Sequence, residues 1–170
     1  TAPSAINDLA VSTPTPYTLT LTWLAPGDDG NAGTASAYLV RYALAPILTE
    51  TDFDNATAVG NPPAPEAAGT PQSLVVNNLE PASTYYFAVR AVDEVPNTGA
   101  ISNSPAGTTA PPPDLTAPAA INNLGVVAWP DTTISLSWTA PGDDGWTGTA
   151  ALYEIRWSSL PVTTDALFDA

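Results

Sequence analysis

The sequence of 170 residues has no cysteine, no histidine and no lysine. The lack of cysteine excludes a disulfide framework. The lack of all three excludes a Ser-His-Asp or Cys-His catalytic arrangement and a zinc site built from histidine and cysteine. Two carboxylates can hydrolyse a glycoside, but only when they face each other across a cleft. We therefore expect a protein that is not an enzyme, with no catalytic residue, no cofactor and no metal centre.

Positive charge is also scarce, because Arg41, Arg90 and Arg156 stand against 17 acidic residues and leave a formal net charge of −14. Nucleic acid and anionic lipid are poor partners for such a chain, since both attract basic patches. Only 12% of the residues are charged, so much of the exterior must be threonine, serine, asparagine, proline and alanine. This composition is typical of secreted and cell-surface proteins and predicts an extracellular location.

Long apolar runs are missing as well. No stretch of 18 or more apolar residues occurs, so no membrane insertion is predicted. The N-terminus lacks a charged stretch followed by an apolar one, the pattern of a secretion signal. Thr1-Ala2-Pro3 recurs as Thr116-Ala117-Pro118. We expect the chain to be cut from, or processed out of, a longer protein.

What the sequence does contain is an internal repeat. Segment 19–42 consists of an alternating strand, a turn rich in glycine and aspartate, and a second alternating strand. The same arrangement recurs at 134–157, at a constant spacing of 115 residues. About half of the 55 paired positions are identical, and no gap is needed. The repeat predicts a tandem array of one β module.

Apolar and polar residues alternate along most of the first repeat, which predicts short strands. Leu19, Leu21 and Trp23 fall on one face and threonines on the other, a pattern typical of a half-buried strand. Between strands, Thr49 followed by Asp52 predicts a capped helical turn, and Phe53 is expected to pin that turn to the core. Predicted strands include segments 6–11, 17–24, 38–42, 74–76, 85–91 and 101–108, with 121–127, 134–138 and 153–157 in the second copy. Seven short strands and no long helix favour a β-sandwich.

Tyr85 begins a late strand, where a buried tyrosine whose hydroxyl bonds back to upstream backbone forms the tyrosine corner of Greek-key sandwiches. Three patterns together resemble fibronectin type III domains, particularly those of bacterial surface and secreted proteins. They are Trp23 on the second strand, Tyr38-x-Val40-x-Tyr42 on the third, and Leu79-x-Pro81-x-Ser83-x-Tyr85-x-Phe87-x-Val89-x-Ala91 on the sixth. Ala82 stands where family members usually carry glycine. The resemblance implies an all-β, immunoglobulin-like Greek-key sandwich, with strands A, B and E facing strands C, C′, F and G, and it implies no chemistry.

The resemblance also divides the chain. It predicts a complete domain at 1–110, a proline-rich linker at 111–115, and at 116–170 the N-terminal half of a second domain, with strands A, B, C and the start of C′. The three consecutive prolines of the linker favour a semi-rigid, extended spacer. Half a sandwich leaves an apolar face and open strand edges in water. We expect 116–170 to be stable only if the natural chain continues or another chain supplies the missing strands.

Two kinds of ligand site are weighed. Gly27-Asp28-Asp29-Gly30-Asn31 offers clustered oxygens that suit Ca²⁺, and Asp143 and Asp144 repeat the pair. The spacing is not that of an EF-hand, and the favoured interpretation is that the turn itself requires glycine and aspartate. Trp129, Trp146 and Trp157 raise a glycan-binding alternative, in which core packing explains Trp157 better, since it replaces Tyr42.

Modification is a further alternative. Asn55-Ala56-Thr57 matches the N-glycosylation triplet. Thr108, Thr109 and Thr116 lie close to proline and suit O-linked sugars on a stalk.

These observations favour a non-catalytic extracellular module that acts as a spacer, an adhesion segment or part of a surface filament. Its expected partners are other domains of the same longer chain, neighbouring subunits, or surface glycans and proteins. The main alternative is an accessory region, carbohydrate-binding or not, of a secreted enzyme that degrades polysaccharide or protein. A third hypothesis is a self-assembling subunit completed by a neighbour's strands.

Overall fold

Two units make up the chain in the computed structural model, Thr1–Pro113 and Asp114–Ala170. The structure describes residues 1–95, 97–128 and 132–169. The domain limits expected from the sequence, 1–110 and 116–170, stay a prediction. No helix within the described ranges is long and apolar enough to cross a membrane.

The first unit is a sandwich of two antiparallel sheets. One sheet has the strand order β1-β2-β5 and the other the order β4-β3-β6-β7. The elements are β1 (Ala10–Ser12), β2 (Leu19–Leu24), β3 (Ala37–Ala43), α1 (Glu50–Asn55), β4 (Thr57–Ala58), β5 (Pro71–Val76), β6 (Thr84–Val92) and β7 (Ala106–Thr108). The predicted all-β fold is confirmed, and the two sheets are those that the resemblance implied.

Alternation along the strands fills the space between the sheets. Leu19, Leu21 and Trp23 of β2 are buried, and the Trp23 ring meets the Tyr38 ring of β3 edge-on at 5.2 Å between centroids. Phe87 and Val89 of β6 are fully buried on the opposite sheet. Burial of a large apolar side chain contributes about 1.5–3 kcal/mol, so this core supplies most of the stability of the unit.

The tyrosine corner is present. The Tyr85 hydroxyl accepts a hydrogen bond from the Glu80 backbone N–H at 2.9 Å. Ala82, inside the corner, has a φ of +50°, in the left-handed region that favours glycine. This backbone conformation explains why glycine suits that position.

The last strand predicted for the first unit is longer than the strand that forms. The last strand covers only Ala106–Thr108 and not 101–108, because the preceding residues divide their bonds between two neighbours. Ser102 N–H donates to the Val89 carbonyl at 3.1 Å, whereas Asn103 N–H donates to the Ile6 carbonyl at 3.3 Å. A segment that bonds in both directions cannot form a regular ladder with β6.

Phe53 is buried and holds helix α1 in place, as predicted, but it does so in a second core cluster with Ile47, Ala56 and Ala88 rather than in the main one. Ala88 lies between two core-facing residues of β6, so alternation turns it to the outer face of the sheet. Helix α1 therefore covers the outside of the four-stranded sheet.

The second unit contains an antiparallel pair, β8 (Gly125–Ala128) and β9 (Ser135–Ser137), and a short helix α2 (Asp165–Phe168). The predicted strand at 153–157 is not formed. In the first unit the corresponding strand β3 pairs along its whole length with β6, and no counterpart of β6 is found among the described residues of the second unit. The ring pair is nevertheless kept, since Trp138 and Tyr153 meet at 5.5 Å.

Candidate functional site at the acidic end of the first unit

Four carboxylates lie in the loops at one end of the first unit. Strand β2 ends there at Leu24, β3 begins there at Ala37, and Ala37 pairs with Val92, the last residue of β6. The loops that follow β2 and β6 therefore share this end. We call it the acidic end, and its carboxylates belong to Asp28, Asp29, Asp93 and Glu94.

The turn after β2 is held by its own backbone. Asp28 and Asp29 donate their N–H groups to the Ala32 carbonyl at 2.7 and 3.1 Å. A Cβ at Gly27 would lie 2.1 Å from the Ala32 nitrogen, and Gly30 has a φ of +64°. Glycine is therefore required at both positions, which supports the interpretation that the turn itself dictates its residues.

Asp28 and Asp29 have different environments. Asp29 is exposed, and its Oδ1 lies 2.7 Å from the amino nitrogen of Thr1. Asp28 is half-buried, and burial, followed by the neighbouring Glu94 carboxylate, raises the pKa of Asp28 above its usual value. The folded protein therefore holds a proton on Asp28 more tightly than a fully solvated aspartate would.

Asp93 shows the opposite behaviour. Its carboxylate accepts hydrogen bonds from Val95 N at 3.0 Å, Asn97 N at 2.7 Å and Asn97 Nδ2 at 2.6 Å. These bonds, the one from the Asn97 side chain first, hold the pKa of Asp93 below its usual value. Sequence reasoning missed Asp93, although an aspartate followed by asparagine in a turn is a signal for such a loop.

The two aspartates of the calcium hypothesis lie on the same turn. Among the described residues, no three acidic, histidine or cysteine side chains come together in a group suited to hold a metal ion. The expectations of no metal centre, cofactor or catalytic residue stay predictions.

The repeated turn in the second unit keeps the two backbone bonds that join Asp29 and Ala32 in the first. Asp144 N–H donates to the Thr147 carbonyl at 3.1 Å, and Thr147 N–H returns to the Asp144 carbonyl at 2.9 Å. Asp143 Oδ1 accepts from Thr149 N at 3.1 Å. The negative charge of Asp114, followed by burial, raises the pKa of Asp144. Aspartate here stabilises the turn by accepting backbone hydrogen bonds.

The structure describes two of the three tryptophans of the glycan hypothesis. Trp146 is 61% exposed on the turn, and Trp129 lies outside the described residues. Trp157 is 93% exposed, so the expectation that it packs in a core is wrong. Tyr42, its counterpart, packs edge-on against Tyr85 of β6 at 5.6 Å, and no such partner occurs among the described residues of the second unit.

The candidate glycosylation sites are exposed at some positions and buried at another. Asn55 and Thr57 are exposed at the end of α1, and Thr108 and Thr116 are exposed. Thr109 is not available for O-linked sugar, because it is 2% exposed and its hydroxyl donates to the Glu80 carbonyl at 2.7 Å. Thr109 instead supports the tyrosine corner.

Comparisons with known proteins identify a family for most of the first unit. The model of the family "Fibronectin type III domain" matches residues 2–104. A calcium-activated chloride channel regulator 1 of Bos taurus is 31% identical over 88 residues, covering 49% of this chain and 10% of that protein. A calcium-activated chloride channel regulator 3A-1 of Mus musculus is 30% identical over 110 residues, covering 59% and 12%. The chain thus spans about a tenth of the length of these relatives.

Among solved structures, the sixth fibronectin type III domain of human fibronectin type III domain containing protein 3 aligns with a TM-score of 0.45 at 19% identity. It covers 69% of this chain and 94% of that domain.

Proposed function

Because the chain belongs to the fibronectin type III domain family, whose members are generally non-catalytic β-sandwich modules, we propose that it is a non-catalytic extracellular module. Its role is to space or present other parts of a longer assembly, as a stalk, an adhesion segment or a segment of a surface filament. The bacterial surface type and the incomplete second domain belong to the same proposal.

This proposal rests on the hydrogen bonds that carboxylates of the first unit accept from its own backbone and side chains. Asp93 accepts three hydrogen bonds within its loop, and Asp52 accepts two at the start of α1. Asp8 accepts from the Leu24 N–H at 3.0 Å and so binds the end of β2. A catalytic carboxylate must present its oxygens to a substrate, whereas these oxygens are used to hold loops and strand ends.

The repeat and the linker support an extended role. The same turn and the same edge-on ring pair occur in both units. The prolines at 111–113 are exposed, as a semi-rigid spacer segment requires. Repeated modules joined by stiff segments place other domains at a distance from a surface.

Cell-surface display tests the spacer role. The chain is inserted between a surface anchor and a short epitope on yeast, and binding of a bulky antibody to the epitope is measured. A spacer is expected to raise antibody binding over the anchor without the chain. The doubly substituted chain Asp28→Asn, Asp29→Asn should give the same gain, because spacing does not depend on these carboxylates. No gain in binding would contradict the spacer role, and cell clumping that the double variant abolishes would favour adhesion instead.

The accessory-region alternative is favoured by one observation, the exposed Trp146 on the turn of the second unit. Exposed indoles stack on flat apolar faces, including those of sugars. Affinity electrophoresis in gels containing soluble polysaccharides tests it. Carbohydrate binding predicts retardation that Trp146→Ala abolishes and that Trp157→Ala, at a second exposed tryptophan of the described residues, leaves unchanged. Equal migration in all gels would count against this alternative.

A further inference from the structure

Strand β5 forms a free edge of the three-stranded sheet. It has six residues, whereas the other edge strands of the first unit, β1, β4 and β7, have three, two and three in the described structure. Strand β1 is also followed by Thr13, with a φ of +45°, and by Pro14, which end its pairing. β5 is therefore the longest edge at which another strand can add.

The register shows which backbone groups of β5 face outward. Ala25 N–H donates to the Thr70 carbonyl at 2.9 Å, so this pair, directly before the ladder, is hydrogen-bonded. Hydrogen-bonded and non-hydrogen-bonded pairs alternate in an antiparallel ladder. Ser73 and Val75 occupy the non-hydrogen-bonded positions opposite β2, and their N–H and C=O groups point away from it.

Side-chain contacts agree with this assignment. The Val75 carbonyl accepts from the Asn77 side chain at 3.2 Å, and the Pro71 carbonyl accepts from the Gln72 side chain at 3.3 Å. In the described structure, the N–H groups of Ser73 and Val75 and the Ser73 carbonyl have no partner. One stretch of backbone thus offers two free donors and one free acceptor at the spacing of a ladder, and the Val75 carbonyl can accept a second bond beside the one from Asn77.

This edge is also free of charge in a strongly acidic chain. Strand β5 reads Pro-Gln-Ser-Leu-Val-Val, whereas the whole chain carries a net charge of −14. Val75 is 48% exposed, and Leu74 is partly buried at the margin of the core. A second strand would find hydrogen bonds and apolar contact here without facing a carboxylate on the strand itself.

We propose that two copies of this chain pair through β5, antiparallel, about a twofold axis at Leu74. The Ser73 N–H then donates to the Val75 carbonyl of the second copy, and the Val75 N–H of that copy donates to the Ser73 carbonyl. The axis repeats both bonds, so all the outward groups of Ser73 and Val75 are satisfied. Leu74 meets its own counterpart at the axis, and the two sheets join into one sheet of six strands.

A second copy fits this edge because the edge is complementary to itself. A twofold interface brings the same residues together from both sides, so a neutral strip meets a neutral strip. At the acidic end of the first unit, by contrast, a twofold contact between copies would oppose carboxylate to carboxylate. The inference does not depend on the proposed function, since a module that stays monomeric can still act as a spacer.

Sedimentation velocity of the complete chain over a wide concentration range tests the pairing. A species of roughly twice 17.4 kDa is expected to form with rising concentration. Ser73→Pro removes an outward N–H that β2 does not use, so it should weaken the dimer about tenfold or more, since two symmetry-related bonds are lost. Val75→Lys adds a second test, because it places two charges near the axis. The matched control is Thr20→Lys, on the central strand opposite Val75, which should still form dimers.

The salt dependence of dimer formation is an independent test. Because both copies are acidic, raising the salt concentration should strengthen the dimer, whereas an interface held by ion pairs would weaken. Circular dichroism shows whether each variant keeps its sheets, and Val75→Lys decides the matter if Ser73→Pro does not fold. A monomer at every concentration, or a dimer that folded Ser73→Pro or Val75→Lys leaves unchanged, would overturn the proposal.

Discussion

At the scale of single residues, Tyr85 and Thr109 hold the same turn from two directions. The Tyr85 hydroxyl accepts the Glu80 N–H, and the Thr109 hydroxyl donates to the Glu80 carbonyl. Thr109 Oγ1 also accepts from the Ser83 N–H at 3.0 Å. The turn between β5 and β6 is thus bound to the start of β6 and to the segment after β7.

Removal of the Tyr85 hydroxyl should destabilise the first unit by about 1 kcal/mol, because Tyr85→Phe leaves the Glu80 N–H without its partner while the ring stays in the core. Urea unfolding followed by tryptophan fluorescence measures the change. Tyr86→Phe is the control, since the Tyr86 side chain faces the other side of β6 and forms no such bond. Equal stability of the Tyr85 variant and the wild type would show that the corner contributes little.

The carboxylates of the acidic end should respond to pH with opposite signs. The raised pKa of Asp28 means that the folded state binds this proton more tightly than the unfolded state, so the charged form opposes folding at neutral pH. The lowered pKa of Asp93 means that its charged form favours folding above the ordinary value of 3.8, and this contribution is lost as pH falls through the lower folded pKa.

Asp28→Asn is therefore expected to raise Tm at pH 7, and the gain should shrink as pH falls through the Asp28 pKa towards 3.8 and below. Asp93→Asn should lower Tm at pH 7, with a smaller loss in acid. Thermal unfolding of both variants from pH 7 to pH 3 measures the two trends. Parallel curves for the two variants would contradict the assigned environments.

At the scale of elements, helix α1 illustrates how local sequence and tertiary contact combine. Thr49 Oγ1 accepts from Asp52 N at 3.2 Å, and Asp52 Oδ2 accepts from Thr49 N at 2.8 Å, which completes the predicted capping box. The guanidinium groups of Arg41 and Arg90 lie over the Phe53 ring, at 5.2 and 5.0 Å from its centroid. The cap starts the helix, and the ring fixes it on the sheet.

Thr49→Ala should cost about 1 kcal/mol, because the N-terminal N–H groups of α1 lose their side-chain acceptor. Thr51→Ala, at an exposed position in the same helix, is expected to change stability by only a few tenths of a kcal/mol. Chemical denaturation of the two variants gives the comparison. Similar losses at both positions would show that helix propensity, not the cap, is being measured.

Strand formation shows where alternation is sufficient and where it is not. Segment 38–42 and segment 153–157 have the same pattern, and only the first is a strand. A strand needs a neighbour for its backbone groups, and β6 supplies it to β3. Alternation thus predicts which face a segment would bury, while a strand forms only where a partner is present.

At the scale of the whole molecule, the two units differ in how much apolar surface they cover. Ile134, Ile155 and Trp157 of the second unit are 68%, 57% and 93% exposed. Their counterparts in the first unit, Leu19, Val40 and Tyr42, are buried or half-buried. The second unit, described by itself, has not closed its core.

Isolated fragments of the two units should therefore differ in how they unfold. Residues 1–113 are expected to unfold cooperatively on their own, whereas residues 114–170 should show no cooperative transition and should bind a hydrophobic dye. Calorimetry and dye fluorescence of the two fragments, beside the complete chain, measure this. A cooperatively folded monomer of 114–170 would contradict the account of its exposed side chains.

The candidate site was predictable only in part. The turn of Asp28 and Asp29 follows from its glycines and aspartates, since their conformational preferences are local. The approach of Glu94 to Asp28 was not predictable from the sequence. The two residues are 66 positions apart along the chain, and only the pairing of β3 with β6 brings their loops together. The burial of Thr109 was hidden for the same reason, as its partner Glu80 belongs to another turn.

The sequence by itself determined the module: the alternation of β2, β3 and β6, the cap of α1, the tyrosine corner and the turn that occurs twice. These features depend on backbone preferences and on the side of a strand that a residue occupies, both of which are written in neighbouring residues. Only the tertiary structure decided that Phe53 packs outside the main core, that 153–157 stays unpaired and that β5 presents a free edge. Each of these depends on what distant segments place beside a residue, and local sequence carries no record of that neighbour.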